Sequence, residues 1–471
     1  MTATMPTAAS TAAAFDLTDI QGNILRGYRQ TDGRHFVLSI GNTGGARQAL
    51  AALVSGDESI APQVTTAAHW GDEKPAYCLN VGVTATGLAA LGVPPSTLAL
   101  FPDAFGQGAA ARAAALGDTG PADPSTWVMG GPGNPPAHIV ISLFTTESRK
   151  PVRDALTAQL RALFARCGLA EAWSQDVASF PHGKVHFGYK DGIGQPRIEG
   201  APGKSIPDMQ PASRAGDFLL GKDYENQYRG NYRGDLPPEL ADNATYGVFR
   251  VIRQDVAGFE SFITLAGKRA NMDPEMIAAK LMGRWRNGTP LTLAPESPEP
   301  KNRTIEPRDL DRFDYAPSDR HPEYYDDTTG MRCPVGSHIR RLNPRSAMVM
   351  GSPHSRRIIR RGIPYGPDYD PAKPDTIERG LTGWFICGDL AMQYEFIVGT
   401  WAQQDFSTAG MRGTREPILG AHPPEGGSFV LRTSDNRDPI ILDGMPRLTS
   451  TRACLYCFVP GIGGIRFLAG A

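Results

Sequence analysis

The sequence predicts an α+β protein assembled from two similar strand–helix–strand units. Three observations lead there. Short alternating strand patterns interleave with amphipathic helical stretches in both halves of the chain. A Pro/Gly/Ser-rich stretch, residues 201–216, lies between them and reads as a linker. The length, 471 residues with 41% apolar content, is enough for more than one core. No short repeat marks a duplication, so the likeness of the halves is a structural expectation.

In the first half, Phe36, Leu38 and Ile40 fall on one face of a strand over 34–40. Residues 79–83 and 138–144 read as further strands, the latter preceded by Pro135 and Pro136. Residues 43–55 and 86–91 are short Ala-rich helices. The stretch 146–168 carries apolar residues at a 3.6-residue period and stops at Gly168. In the second half a strand begins at Tyr246, helices follow over 255–267 and 273–286, a strand over 383–387 leads into a helix over 388–404, and 454–459 is a late strand. The expected organisation is a disordered tail over 1–14, one domain over 15–204 and another over 217–471. The second contains a long excursion, 287–331, with seven prolines. Its Asp326 and Asp327 suit either a divalent cation or a solvated loop.

Composition excludes several classes. With 48 Lys+Arg against 49 Asp+Glu the net charge is -1, which argues against a nucleic-acid coat or a polybasic membrane protein. The 53 Gly and 40 Pro show no collagen period. No run of about 18 apolar residues predicts a membrane span. The N-terminus lacks a basic, then apolar, leader pattern, and six scattered cysteines fit a reducing compartment, so the cytoplasm is the expected location. The pair Cys454 and Cys457 lacks the second Cys/His pair of a zinc site and reads as buried strand residues.

Charge is unevenly placed. From Arg332 to Arg361 there are eight arginines and no acid. A nucleic-acid patch, surface arginines paired elsewhere and a site for an anionic cofactor are all compatible with that segment. Within it stands Cys333-Pro-Val-Gly-Ser-His338-Ile-Arg-Arg-Leu-Asn-Pro-Arg345. A lone histidine is often structural, yet a neutral imidazole is also the usual proximal ligand of a peroxidase haem, whose propionates suit nearby arginines. Upstream, Gly188-Tyr-Lys-Asp191-Gly192-Ile-Gly194 forms neither a dinucleotide loop nor a phosphate loop, and a turn is the plain reading. Downstream, Arg360 precedes Pro364-Tyr365-Gly366.

These three segments, in this order, resemble the dye-decolorizing peroxidases. Asp19-Ile-Gln-Gly-Asn23, Leu281-Met-Gly-Arg-Trp-Arg286, Arg312-Phe-Asp-Tyr315 and Tyr394-Glu395-Phe396 extend the likeness along most of the chain, which is similar to the longer branch of the family. The resemblance implies two ferredoxin-like domains, each an antiparallel four-stranded sheet with peripheral helices, and haem b held mainly by the C-terminal domain. It implies that His338 ligates the iron and Arg345 holds a propionate. Asp191, followed by Gly192, and Arg360 would line the distal side as proton shuttle and charge stabiliser. Glu395 is the nominee to receive the other N–H of the proximal imidazole, an outward helix carboxylate being the alternative. Glu260 and Glu275 are weak candidates for a manganese site of the kind some members use. The implied activity is reduction of hydrogen peroxide to water with one-electron oxidation of dyes, phenols or related aromatics through a ferryl state. A haem-handling or iron-releasing protein on the same fold and, from another class, a nucleic-acid-binding module are the alternatives. Expected partners are peroxide and small aromatic donors, without nucleic acid or membrane, in a monomer or homodimer.

Overall fold

The computed structural model describes residues 15–71, 73–202, 210–221, 224–228, 230–231, 235–301, 304–319, 321–347, 352–407, 410–433 and 437–470. The expected tail 1–14 and the centre of the expected linker, 203–209, lie outside the described residues.

Eight strands form one antiparallel sheet. In the first half these are β1 (Asp32–Ile40), β2 (Cys78–Thr84), β3 (Ile139–Thr145) and β4 (Leu169–Ala178). In the second they are β5 (Thr245–Gln254), β6 (Ile359–Tyr365), β7 (Gly380–Cys387) and, after a small hairpin of β8 (Gly427–Leu431) and β9 (Ile440–Met445), β10 (Thr449–Val459). The spatial order is β4-β1-β3-β2-β10-β5-β7-β6. Each half therefore places its first strand between its last and its third, with its second outside the third. That is the ferredoxin-like arrangement, repeated. The halves join where Val83 and Thr84 of β2 pair with Phe458 and Cys457 of β10. At the other end β6 approaches β4, so the sheet curls back on itself.

Local sequence explains the helices that cover it. Helix α1 (Thr43–Leu53) begins where the Asn42 side chain accepts the Gly45 N–H at 2.7 Å. Helix α2 (Lys150–Arg166) buries Leu160, Leu163 and Phe164 against the sheet. In the second half α3 (Val256–Ala270) is capped by Asp255, and α4 (Pro274–Met282) stops at Gly283, whose φ of +88° favours glycine. After the short α5 (His338–Leu342), α6 (Leu390–Trp401) is wound as a π-helix.

Strand alternation sorts the core into two layers. Phe36, Leu38, Leu79 and Phe458 face the helices, while Val37, Phe249, Trp384 and Leu455 fill the inside of the curled sheet. Inside, Trp384 Nε1 donates to Ser142 Oγ at 2.8 Å, tying the halves together. Ser142 Oγ also lies 2.8 Å from His35 Nδ1. All six cysteines are free and buried. Cys454 belongs to the helix-facing layer and Cys457 to the inner one, so the pair points to opposite faces of β10. Among the described residues no helix is long and apolar enough to cross a membrane.

The expected strands and long helices form within a few residues of their predicted limits. Four strands of the large sheet and the hairpin were not anticipated: β4 and β6 in the one, β8 and β9 in the other. β4 and β6 lie at the two ends of the sheet, where few of their residues are fully buried, so their sequences carry no regular hydrophobic alternation.

Candidate active site

A cavity of about 300 Å³ opens between the 185–197 loop, α5, β6 and α6. Asp191, His338, Arg345 and Arg360 all line it. A second cavity, about 760 Å³, adjoins it through the shared residues Asp191, Gln195, Arg197 and Arg360, and Gly192 lines this one. Residues separated by up to 169 positions in sequence thus converge on one space.

His338 is the first residue of α5, and the loop before it is held firmly. Buried Asp327 accepts the N–H groups of Arg332 and Cys333, each at 2.8 Å, and Arg340 Nη1 donates to the Cys333 carbonyl at 2.7 Å. Asp327 is therefore a loop staple and not the cation ligand considered from sequence, while Asp326 caps its own turn through Thr328. A side chain at Gly283 would collide with Ile339, Ser337 and Cys333, so this position must stay glycine for α4 to meet the histidine loop.

His338 Nδ1 lies 3.0 Å from Glu416 Oε1. Glu416 is fully buried and also accepts the N–H groups of Ile418 and Leu419. Burial alone would push its carboxyl up. His338 and those two N–H groups outweigh it and hold Glu416 below the usual carboxylate range. With Nδ1 engaged as donor, Nε2 is left as the nitrogen available to the cavity.

This corrects the nomination of Glu395. That residue pairs with Arg112 through both carboxylate oxygens and accepts the Tyr456 hydroxyl at 2.8 Å. It stands on α6 with its side chain turned from His338, toward the Asp103–Arg112 helix. Glu416, in Arg415-Glu-Pro-Ile, offers no motif or period, and nothing local in the sequence pointed to it.

Asp191 and Arg360 occupy the wall contributed by the 185–197 loop and β6. Asp191 is held by its backbone, N–H to Gly183 O at 2.9 Å, and its carboxylate is exposed to the cavities. Gly192 beside it has φ +72° and an open space where a side chain would stand. Arg360 donates to the Gly194 carbonyl, and its backbone exchanges two 3.0 Å hydrogen bonds with the Gln195 side chain. The loop and β6 are thus latched together. Among the described contacts Asp191 and Arg360 form no ion pair with each other, and both line the two cavities.

The remaining arginines are mostly turned inward. Arg341 donates to the carbonyls of Trp401, Gln404 and Thr414, and Arg361 to Asn23 and Ile24. Arg345 is anchored on Asp311 and the Phe313 carbonyl and lies flat over the Phe313 ring, so much of its fork is already in use. At that end of the cavity Arg284 and Arg357 crowd the same carboxylate. Burial first, and then the charge of Arg345, brings both down to about 10. Arg197 Nε and Arg356 Nε there are buried without a protein partner. An excess of buried cationic donors beside apolar Leu342, Ile358 and Ile397 suits a flat apolar group bearing carboxylates.

The two glutamates considered for manganese do not form an open site. Arg286 reaches Glu260 at 2.9 Å and Glu275 at 3.0 Å, and among the described residues no group of three potential metal ligands occurs.

Residues 19–165 match the family described as the DyP dimeric alpha+beta barrel domain. Over 89% of this chain and 80% of its own length, a Peroxidase 2 of Mycetinis scorodonius is 29% identical. A dye-decolorizing peroxidase of Mycena epipterygia is 27% identical over 87% of this chain and 76% of its own. A solved ancestral D-type dye decolorizing peroxidase superposes with a TM-score of 0.79 at 26% identity, covering 98% of this chain and all of that one. The chain is similar to the dye-decolorizing peroxidases over nearly its whole length. The likeness extends across both halves of the sheet and both walls of the cavity.

Proposed function

We propose that the protein is a haem b peroxidase that reduces hydrogen peroxide to water and oxidises dyes, phenols or related aromatic donors one electron at a time. The observation that carries this reading is the His338–Glu416 pair, which leaves an imidazole nitrogen for a cavity that Asp191 and Arg360 also line. His338 would hold the haem iron through Nε2, and the buried arginines near Asp311 would face the propionates. Bound there, haem would supply the redox chemistry on peroxide.

The chain's own residues have separable tasks. Glu416 accepts the Nδ1 proton of His338, fixing its tautomer and raising the basicity of Nε2. An ionised Asp191 can take the proton from one peroxide oxygen and return it to the other. Arg360, fixed by Gly194 and Gln195, favours negative charge developing on the departing oxygen. The apolar walls limit water in the cavity. Residues 15–204 and 217–471 are proposed as the two domains, and free, buried thiols support a cytoplasmic location.

The test is an absorbance spectrum of the haem-loaded protein before and after one equivalent of peroxide, followed by dye oxidation. A Soret band that shifts with peroxide, with turnover lost in His338→Ala, is the expected result. Haem binding without peroxide-dependent turnover would favour a haem carrier instead.

A further inference from the structure

The proposed chemistry needs Asp191 at a fixed place, yet its carboxylate has no protein partner among the described contacts. Position must come from its loop. That loop is anchored at a site outside the cavity. Arg286 Nη1 donates to the Phe187 carbonyl at 2.7 Å, and the Arg286 carbonyl accepts the Lys190 N–H at 2.8 Å. One residue thus grips the loop on both sides of Gly188 and Tyr189, ending at the residue before Asp191.

Arg286 is itself fixed. Glu260 of α3 and Glu275 of α4 bind its guanidinium, which also lies over the rings of Tyr189 and Phe259. Tyr189 hydroxyl donates to Ala278 O at 2.7 Å, so the loop rests on the same two helices. A side chain at Gly188 would come within 2.6 Å of Arg286 Nη1, which gives that glycine, at φ +80°, a reason beyond its backbone.

We infer that Arg286, held between Glu260 and Glu275, is the positioning residue for Asp191. It transmits the rigidity of α3 and α4 to the proton-shuttling loop without touching the cavity. It is also a tethered cation between two carboxylates. Removing its charge frees the loop and leaves two like charges facing each other. This inference rests on the peroxidase reading for its kinetic part only.

Two measurements test it. In the haem-free chain, Arg286→Met keeps the stem over Tyr189 and the backbone contact to Lys190 but removes the guanidinium grip on Phe187 and the two glutamates. Deuterium uptake should rise over 183–193 and stay at the parent level in the β1–β3 ladder. In the haem-loaded protein, the bimolecular rate with peroxide should fall at least about tenfold, since misplacement by an ångström can cost a hundredfold. Adding Arg286→Met to Asp191→Asn should give little further loss. Arg286→Lys, which keeps the charge and the carbonyl contact within reach, should recover much of both. Unchanged uptake over 183–193, or uptake raised throughout, overturns the inference. So does a kinetic loss fully additive with that of Asp191→Asn. If the parent does not react with peroxide, the peroxidase reading fails while the uptake result still judges the clamp.

Discussion

The two halves of the sheet share one topology and differ in what they hang from it. In the N-terminal half the crossover from β1 to β2 spans residues 41–77 and packs one helix on the sheet. The equivalent crossover from β5 to β6 spans residues 255–358 and carries α3, α4, the Pro-rich excursion and the His338 segment. The strands that follow differ as well. β2 is paired on both edges and wholly buried, whereas β6 has one ladder partner, β7, and presents Arg360 to the cavity. The frame is duplicated and the site is not. An enlarged crossover and the edge strand β6 line the cavity from one copy, and the other copy contributes the Asp191 loop from beyond its last strand.

That contrast can be broken in order of expected effect. His338→Ala should abolish haem retention and peroxide turnover, read by the Soret band and by dye oxidation. Full activity in this variant would remove the C-terminal crossover from the mechanism. Asp191→Asn and Arg360→Leu test the two contributions to the opposite wall. Each should lower the bimolecular rate with peroxide by roughly two to three orders of magnitude, measured by stopped flow. An undiminished rate in Asp191→Asn would leave Arg360 as the principal group there. Glu416→Gln should weaken haem binding about 10–100-fold, as loss of a partner behind a metal ligand commonly does. Glu395→Gln should leave haem affinity alone and act on folding stability, and the reverse pattern would restore Glu395 as the proximal carboxylate.

A smaller effect concerns the seam between the halves. Ser142→Ala leaves Trp384 Nε1 without its acceptor and should cost about 1–3 kcal/mol in denaturant unfolding. His35 beside it is buried neutral, its pKa lowered to about 3 by desolvation. The unfolded chain takes up this proton below about pH 6.5 and the folded chain does not. Stability is therefore complete above that pH and declines as pH falls toward 3, by up to about 1.4 kcal/mol per pH unit from this group. Urea midpoints between pH 7 and 4.5 should fall less steeply in His35→Gln than in the parent.

Much of this frame was legible in the chain. Period-two and period-3.6 patterns placed the inner strands and the long helices, because those elements bury continuous apolar faces. The three short segments around Asp191, His338 and Arg360 marked the cavity because their residue types are demanded by chemistry. What escaped notice depends on contacts that no local pattern encodes. Glu416 meets His338 across 78 positions, while Glu395 sits in a suggestive aromatic segment and serves Arg112. The eight arginines looked like a single cationic feature. In three dimensions Arg340 and Arg341 tie down backbone carbonyls, and the cationic end of the cavity recruits Arg284 and Arg197 from outside the cluster. Glu260 and Glu275, weak manganese candidates by sequence, instead hold Arg286 between them.

The buried cysteines have a consequence for a protein proposed to work on an oxidant. Thiolate is the form that attacks peroxide, and it can do so only where peroxide reaches it. Here desolvation raises Cys78 to about 11 and Cys454 to about 12, and lifts Cys333, Cys387 and Cys457 above their ordinary value. Cys333, five residues before His338, contacts Ser337 and is buried, and it does not line the cavity. These five thiols are therefore held in the protonated form and, like Cys167, lie buried away from solvent. The packing that shapes the fold also shields its sulfurs from oxidant.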